Sequence, residues 1–516
     1  MTMVTAETLE HWAREKPDAV AIVEGERSLT YATWNEAADR VAAGLDRHGV
    51  TRGDIVVLRT QIRLEWAILA AALGKLGCSL LALNWRLTAA ETQYVLSNSG
   101  ATVFICDDPD PALLRPAFDG LKIKLAVSID TPAEGFVAFQ SLLDEPAVPR
   151  FSGGNPPLII YTSGTTGLPK GVVMNTREIA KTDRKAAEYL QDVASSRPQT
   201  AGDVVLLTLP MHHGAGPSAL WGALRLGNRL VMLRRFDPLT VLSLIDRHKV
   251  SAWTGVPTMY KRIAALPQQE LDKHDVSSTR LLGVGAAPVP PALKDWIDGY
   301  FGAGKLGEGY GSTETGMITH LAAGMHRLKP GSSGLPHKHV DIRIRNDAGV
   351  DLPAGEVGEI WVRTPANIAQ YLNGKPLGPD TLDGEGFFRV GDVGRLDEDG
   401  YLFITDRAKD MIISGGVNLY PAEIEAGLLR HPAVLDVAVI GIPDDEFGEQ
   451  VKAFVELRPG ASATPDEIAE HAKQHLASYK RPKSVEIVAE LPRNTMGKLL
   501  KRELREPYWR GRERRV

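Results

Sequence analysis

The sequence predicts an α/β protein: a large N-terminal domain of stacked α/β sheets with a β-rich subdomain, then a small α+β C-terminal domain. Three observations predict it. Short apolar runs alternate with helical patterns in two separate blocks, Gly-, Pro- and Asp-divided strands take over from about residue 340, and a third composition begins after Asp406. In the first block DIVVLRT (54–60), CSLLALN (78–84) and ATVFIC (101–106) read as strands, with helices over 64–76 and 88–97. That rhythm belongs to parallel strands with covering helices. The second block repeats it with DVVLLTL (203–209), a helix over 219–226, RLVMLRR (229–235), a helix through Leu244 and SAWTGV (251–256).

Next come VDIRIR (340–345), GEIWVRT (358–364) and GYLFITD (400–406), where LDEDG (396–400) has the residues of a tight turn. Beyond them Pro421 opens a helix, PAEIEAGLLR, and LDVAVIGI reads as a strand from Leu435. The expected division is an N-terminal domain over 1–405, its β-rich part over about 330–405, a connection at 406–410, and a C-terminal domain over 411–516.

Bulk properties exclude several classes. At 516 residues the chain exceeds one compact core, and ordinary hydrophobic (43%) and charged (24%) fractions exclude disordered and fibrous proteins. A net charge of −5 argues against a nucleic-acid binder. Cys78 and Cys106 have no metal-like spacing, which fits a reducing, cytoplasmic location without structural zinc. The opening MTMVTAETLEHWAREKPD has acidic residues and no apolar core, so no signal peptide is expected. The apolar stretch 66–83 is interrupted by Gly74, Lys75 and Gly77 and reads as a buried helix leading into a strand, not a transmembrane segment. The Arg-rich stretch 501–516 reads as a solvated tail, with weak contact to an acidic membrane surface as the alternative.

The segment IIYTSGTTGLPKGVV (159–173) is a strand, a loop dense in Ser, Thr and Gly, then Lys170 and a second strand. Small residues let backbone approach an anion, hydroxyls and amides donate hydrogen bonds, and Lys170 adds charge, which suits a polyphosphate. It is not a Walker loop. Counted from Gly164, the second required glycine falls on Pro169, and Gly171 replaces the hydroxyl residue.

YTSGTTGLPKG resembles the phosphate signature of the adenylate-forming superfamily, which includes acyl- and aryl-CoA synthetases, peptide-synthetase adenylation domains and beetle luciferases. Four further segments resemble its other signatures in order. EGYGSTETG (308–316) is similar to the second, VGAAPVP (284–290) to the adenine-side strand, ITDRAKDMIISGGVNLYPAEIE (404–425) to the hinge region, and PRNTMGKLLKREL (492–504) to the terminal motif.

The resemblance implies ATP contacts from Thr162, Ser163, Gly164, Thr165, Thr166, Gly167 and Lys170, and from Gly285, Ala286, Ala287 and Pro288. Glu308, Gly309, Tyr310, Gly311, Ser312 and Thr313 continue that surface. Tyr310 would stack on adenine, Thr313 meet the α-phosphate, Asp392 clamp the ribose hydroxyls and Arg407 touch the ribose. Glu314 would hold Mg²⁺; Lys498, Thr166, Glu314 and Lys170 form the implied catalytic set.

Lys409 falls at the family's hinge, where many relatives carry Asp, which makes the small C-terminal domain an expected mobile lid. Ser414, Gly415 and Gly416 would border the coenzyme A path. LPMHHGAGPSALWGAL (209–224) resembles the segment beside the acyl chain, with His213 at its usual histidine. Gly214, Gly285 and Gly316 are assigned to the acyl pocket, and small residues there, Ala215, Gly216 and Gly283 included, suggest room for a long or bulky group.

The implied reaction joins a carboxylic acid to coenzyme A through an acyl-AMP, with ATP and Mg²⁺. Fatty acids lead, then aryl or steroid side-chain acids. Rival readings are an enzyme loading a separate carrier protein, an acyl-AMP ligase indifferent to coenzyme A, and a non-enzymatic nucleotide-binding module.

Overall fold

The computed structural model describes residues 6–149, 157–162, 168–287, 289–415, 417–494 and 497–510. Its first apolar block forms a seven-stranded sheet in the order Val137–Ala138, Leu125–Ser128, Val103–Cys106, Ile55–Arg59, Ser79–Ala82, Leu158–Thr162, Lys170–Met174. All neighbours are parallel except the last pair, an antiparallel edge hairpin in which Thr162 faces Lys170. The two ends of the segment 159–173 are therefore paired strands at a sheet edge. The second block builds a nine-stranded sheet whose parallel centre contains Leu306–Ser312, Leu281–Gly285, Ala252–Gly255, Val204–Leu207 and Arg229–Met232. Val103–Cys106 and Val204–Leu207 are buried at every residue, as strands covered on both faces must be.

The helix Leu64–Leu76 closes on Gly77 in the left-handed conformation, and Ala89–Ser99 starts with a capping box from Thr88 and Glu91. One continuous apolar core joins both sheets through such helices, and Trp66, Leu69 and Leu73 lie inside it. The helix expected over 219–226 runs instead over Ala215–Arg225. Pro217 falls in the first turn, where its missing N–H costs nothing, and a Cβ on Gly216 would sit 2.9 Å from the Leu209 carbonyl.

The β-rich segment is a four-stranded antiparallel sheet of Asp341–Arg345, Gly358–Arg363, Phe388–Leu396 and Leu402–Arg407. From Ile412–Ser414 onward the strands belong to a separate five-stranded sheet. Its long pair Val434–Asp444 and Gly448–Leu457 packs on the helices Pro421–Leu428 and Pro465–His475 around a core of its own.

The basic C-terminal stretch is not a solvated tail as far as Arg510. Lys501–Trp509 is a helix: Lys501 pairs with Glu425 at 2.7 Å, Arg505 with Asp410 at 3.0 Å, and the Trp509 indole donates to the Gly441 carbonyl. Among the described residues no helix is long and apolar enough to cross a membrane.

Ile424, fully buried in the small core, sets a stability test. Ile424→Ala should cost about 2–5 kcal/mol, read as a lowered midpoint in denaturant titration.

Candidate active site

Where the two large sheets, the four-stranded sheet and the small domain meet, they enclose a cavity of about 2410 Å³. Thr162, Gly285, Ala286, Gly309, Gly311, Ser312, Thr313, Glu314, Gly316, Asp392, Arg407, Lys409 and Lys498 all line it, as do His213 and Gly214. Residues more than 300 positions apart in sequence thus face one space.

Beside the 158–174 hairpin the Thr162 hydroxyl donates to Glu314 Oε1 at 3.0 Å. Lys170, opposite Thr162 in the hairpin, places its Nζ 5.0 Å from the Tyr371 ring centroid. Burial, with the Glu314 carboxylate adding to it, pushes the Tyr371 hydroxyl up to about 12. Tyr371 therefore joins Lys170 to Glu314, and no motif flags it. Ser163, Gly164, Thr165, Thr166, Gly167, Pro288 and Gly416 lie outside the described residues.

The turn of EGYGSTETG is held by Ser312, whose hydroxyl accepts from the Thr315 amide at 3.2 Å. Gly316 has φ +71°, and a Cβ there would lie 2.6 Å from the Tyr189 hydroxyl. A Cβ on Gly285 would lie 2.5 Å from the Gly309 carbonyl, and one on Gly283 2.6 Å from Thr254 Oγ1. These glycines permit close packing of backbone and side chains, so they are not themselves a measure of room for the acyl group. Ala286 lies at φ +67°, an uncommon conformation for a residue with a Cβ, at the end of the strand facing the cavity.

Asp392 ties three elements together. The Tyr310 hydroxyl donates to its Oδ2 at 2.6 Å and Arg407 Nε pairs with its Oδ1 at 2.7 Å. Burial and the negative charge of Asp392 raise Tyr310 far above its ordinary value, so it stays a donor. Each carboxylate oxygen keeps a second lone pair for a further donor.

Lys498 enters from the small domain on a turn clasped by Asn494, whose side-chain oxygen accepts from the Lys498 amide at 2.9 Å. Burial, reinforced by Arg407, lowers the Lys498 amine to about 8 although Asp392 opposes the shift. Lys409 sits in the short 3₁₀ turn Ala408–Asp410, and its carbonyl accepts from Arg505 at 3.1 Å. His213 is pushed down to about 4 by burial, so its ring is neutral, and it packs 4.6 Å from the His212 ring.

Some expected residues are placed elsewhere. The Glu308 carboxylate does not face the nucleotide side; it pairs with Lys294 at 2.5 Å. Ala287 does not line the cavity. Ser414 and Gly415 sit in the hairpin of Ile412–Ser414 and Val417–Leu419, also off the cavity, with a Cβ on Gly415 only 3.0 Å from Phe447. Sequence reasoning missed Tyr371 and Arg197, which line the cavity from segments without a motif, and singled out no role for Trp221 within 209–224.

Residues 9–372 match the family described as AMP-binding enzyme, and residues 423–498 match its AMP-binding enzyme C-terminal domain. The chain belongs to the AMP-binding enzyme family. Its branch is that of acyl- and aryl-CoA ligases. It is 36% identical over 496 residues to the long-chain-fatty-acid–CoA ligase FadD13 of Mycobacterium tuberculosis, covering 93% of each chain. It is 35% identical over 500 residues to a feruloyl-CoA synthase of Amycolatopsis, covering 96% of this chain and 97% of the other. The fold matches the anthranilate CoA ligase AuaEII in complex with anthranoyl-AMP with a TM-score of 0.85 at 26% identity, over 98% of both chains.

A pH test follows from Lys498. Its ammonium is the form that attracts a polyphosphate, so binding weakens as pH rises through the lowered value. The kcat/KM for ATP in the free enzyme should fall about tenfold per pH unit above about 8, and Lys498→Arg should lack that limb.

Proposed function

We propose that this chain is an ATP-dependent acid–CoA ligase: it activates a carboxylic acid as an acyl-AMP and transfers the acyl group to coenzyme A. The supporting observation is that Lys498, Asp392, Arg407, Glu314 and Thr162 line one cavity although they come from different sheets and domains. In the first step a substrate carboxylate oxygen bonds the α-phosphorus as the bond to the β-phosphate oxygen breaks and pyrophosphate leaves. Lys498 places a positive charge where negative charge develops, and Lys170 draws the outgoing phosphates. Asp392 and Tyr310 hold the nucleoside, which turns an encounter into an oriented attack. In the second step the thiol sulfur bonds the acyl carbon, the bond to AMP breaks, and the thiol proton passes to solvent.

Among the described residues no cluster of three or more His, Cys, Asp or Glu could hold a metal. Glu314 is thus a lone carboxylate, which fits Mg²⁺ if phosphate oxygens and water supply most of its ligands. Such an ion neutralises phosphate charge.

The cavity exceeds the roughly 300–1,000 Å³ of one small-ligand pocket, which leaves space for a long or bulky acyl group beside the nucleotide. A fatty acid leads, and aryl or steroid acids follow. The names of the relatives, a long-chain fatty-acid ligase and a feruloyl-CoA synthase, span both kinds.

Lys498 comes from the small domain, so its withdrawal by rotation at Lys409 would open the path for the thiol. Lys261 of the large domain pairs with Asp436 of the small one at 2.7 Å and holds the arrangement in which Lys498 is inside. Lys261→Met should slow adenylation about tenfold while sparing thioester formation from pre-made acyl-AMP.

Lys498→Ala should abolish acid-dependent ATP–pyrophosphate exchange yet largely retain conversion of pre-made acyl-AMP to acyl-CoA; equal loss in both half-reactions removes the role given to Lys498. The wild-type protein with ATP, Mg²⁺ and a panel of acids should release pyrophosphate and form thioester only with coenzyme A present. Pyrophosphate release without thioester would point to a carrier-loading enzyme.

A further inference from the structure

The cavity lining carries arginines that an apolar acyl chain does not need, although Glu178 and Glu188 also line the cavity. Arg177, Arg197 and Arg225 all line it. Arg177 stacks on Trp221 at 4.3 Å from the ring centroid. Among the described residues none of the three has a carboxylate within ion-pair distance. The nearby acidic side chains are committed elsewhere: Asp192 to His337 at 2.8 Å, Glu188 to Lys338 and His339 at 2.8 Å each, Glu178 to Lys181 at 2.8 Å.

Arg197 is the most informative. A Cβ built on Gly309 would lie 3.0 Å from Arg197 Nη2 and 2.7 Å from Met317 Cε, so its guanidinium lies across the strand that carries Tyr310. Gln199, two residues on, also lines the cavity, and its buried side-chain oxygen has no hydrogen-bond partner. An amide carries donor and acceptor on one group, and a half-turn exchanges them.

The backbone behind both residues is pinned. Arg280 donates to the Pro198 carbonyl at 3.2 Å and pairs with Asp203 at 2.6 Å, while the Thr200 amide donates to Asp203 at 2.7 Å. Burial disfavours the charged form of Arg197, but a guanidinium does not give up its proton in a protein. The cost is removed by an anion, and among the described residues no carboxylate pairs with it.

We propose that the acid activated here carries a second carboxylate at its far end, which seats on Arg197 with the Gln199 amide as a further donor. This rests on the ligase reading above and names its substrate class: a dicarboxylic acid with an apolar body, one carboxylate adenylated beside Lys498 and the other held by Arg197. A planar guanidinium matches a carboxylate in two parallel hydrogen bonds. A site built to satisfy such a group rejects the analogue without it more strongly than an apolar pocket rejects an extra methylene.

The test is ATP–pyrophosphate exchange with matched pairs: straight-chain α,ω-dicarboxylic acids against alkanoic acids of equal length, and 4-carboxyphenylacetic against phenylacetic acid. In the wild-type enzyme at least one diacid should exceed its monoacid partner roughly 100-fold in kcat/KM, and Arg197→Met should reverse the order, mainly through KM for the diacid. Exchange that favours monoacids at every length overturns the diacid assignment and leaves the ligase reading standing. An Arg197→Met variant that keeps the wild-type preference also overturns it. Because the wild-type comparison stands alone, a variant that fails to fold does not rescue the idea. No exchange with either series overturns both readings together.

Discussion

The Asp392 carboxylate is the point on which the rest of the site depends. It is buried, and it takes a hydrogen bond from Tyr310 of the nine-stranded sheet and an ion pair from Arg407 at the end of the four-stranded sheet. A buried carboxylate is costly unless its oxygens are engaged, so these partners are requirements of burial before they are features of recognition. Satisfying them fixes the Tyr310 ring, the Asp392 carboxylate and the last strand before Lys409 relative to one another. Lys498 then feels both Arg407 and Asp392, and its lowered proton affinity follows from burial in that setting.

The small domain is held in place by charge at several points. Asp436 is shared between Lys261 of the large domain and Arg493 of its own, the latter at 2.6 Å. Near the connecting turn, Arg505 pairs with Asp410 and caps the Lys409 carbonyl. Ion pairs of this kind are directional, and a rotation of one domain exchanges them for water at a modest cost. An interface sewn by apolar packing would resist such a rotation far more strongly. The division of labour is consistent: apolar clusters hold each domain together, and polar contacts set how the domains meet.

Much of the site was legible because it is built at strand ends. The hairpin around Lys170 and the turn of EGYGSTETG are contiguous segments whose function requires particular small, hydroxyl and charged residues in a row, so their pattern survives in the linear chain. The alternating strands and helices were legible for a similar reason, since two-sided burial imposes uninterrupted apolar runs such as VFIC and VVLL. Reading failed where several backbone conformations fit the local residues. The helix expected to start at Ala219 starts at Ala215, where Gly216 lies against the Pro210 and Leu209 carbonyls. Glu308 looked like a nucleotide contact by its place in a motif, but its carboxylate pairs with Lys294.

What the sequence by itself determined is the class of fold, the order of its segments and the presence of the Ser-, Thr- and Gly-rich motif and the terminal-lysine motif, because each is set by local pattern. The tertiary structure alone decided which distant side chains share the cavity with them. Tyr371 beside Lys170, Asp436 beside Lys261, and Arg197 across Gly309 are pairings between segments with no sequence relation. Such contacts depend on how sheets and helices stack, and the charge balance of a cavity is known only once every wall has been placed.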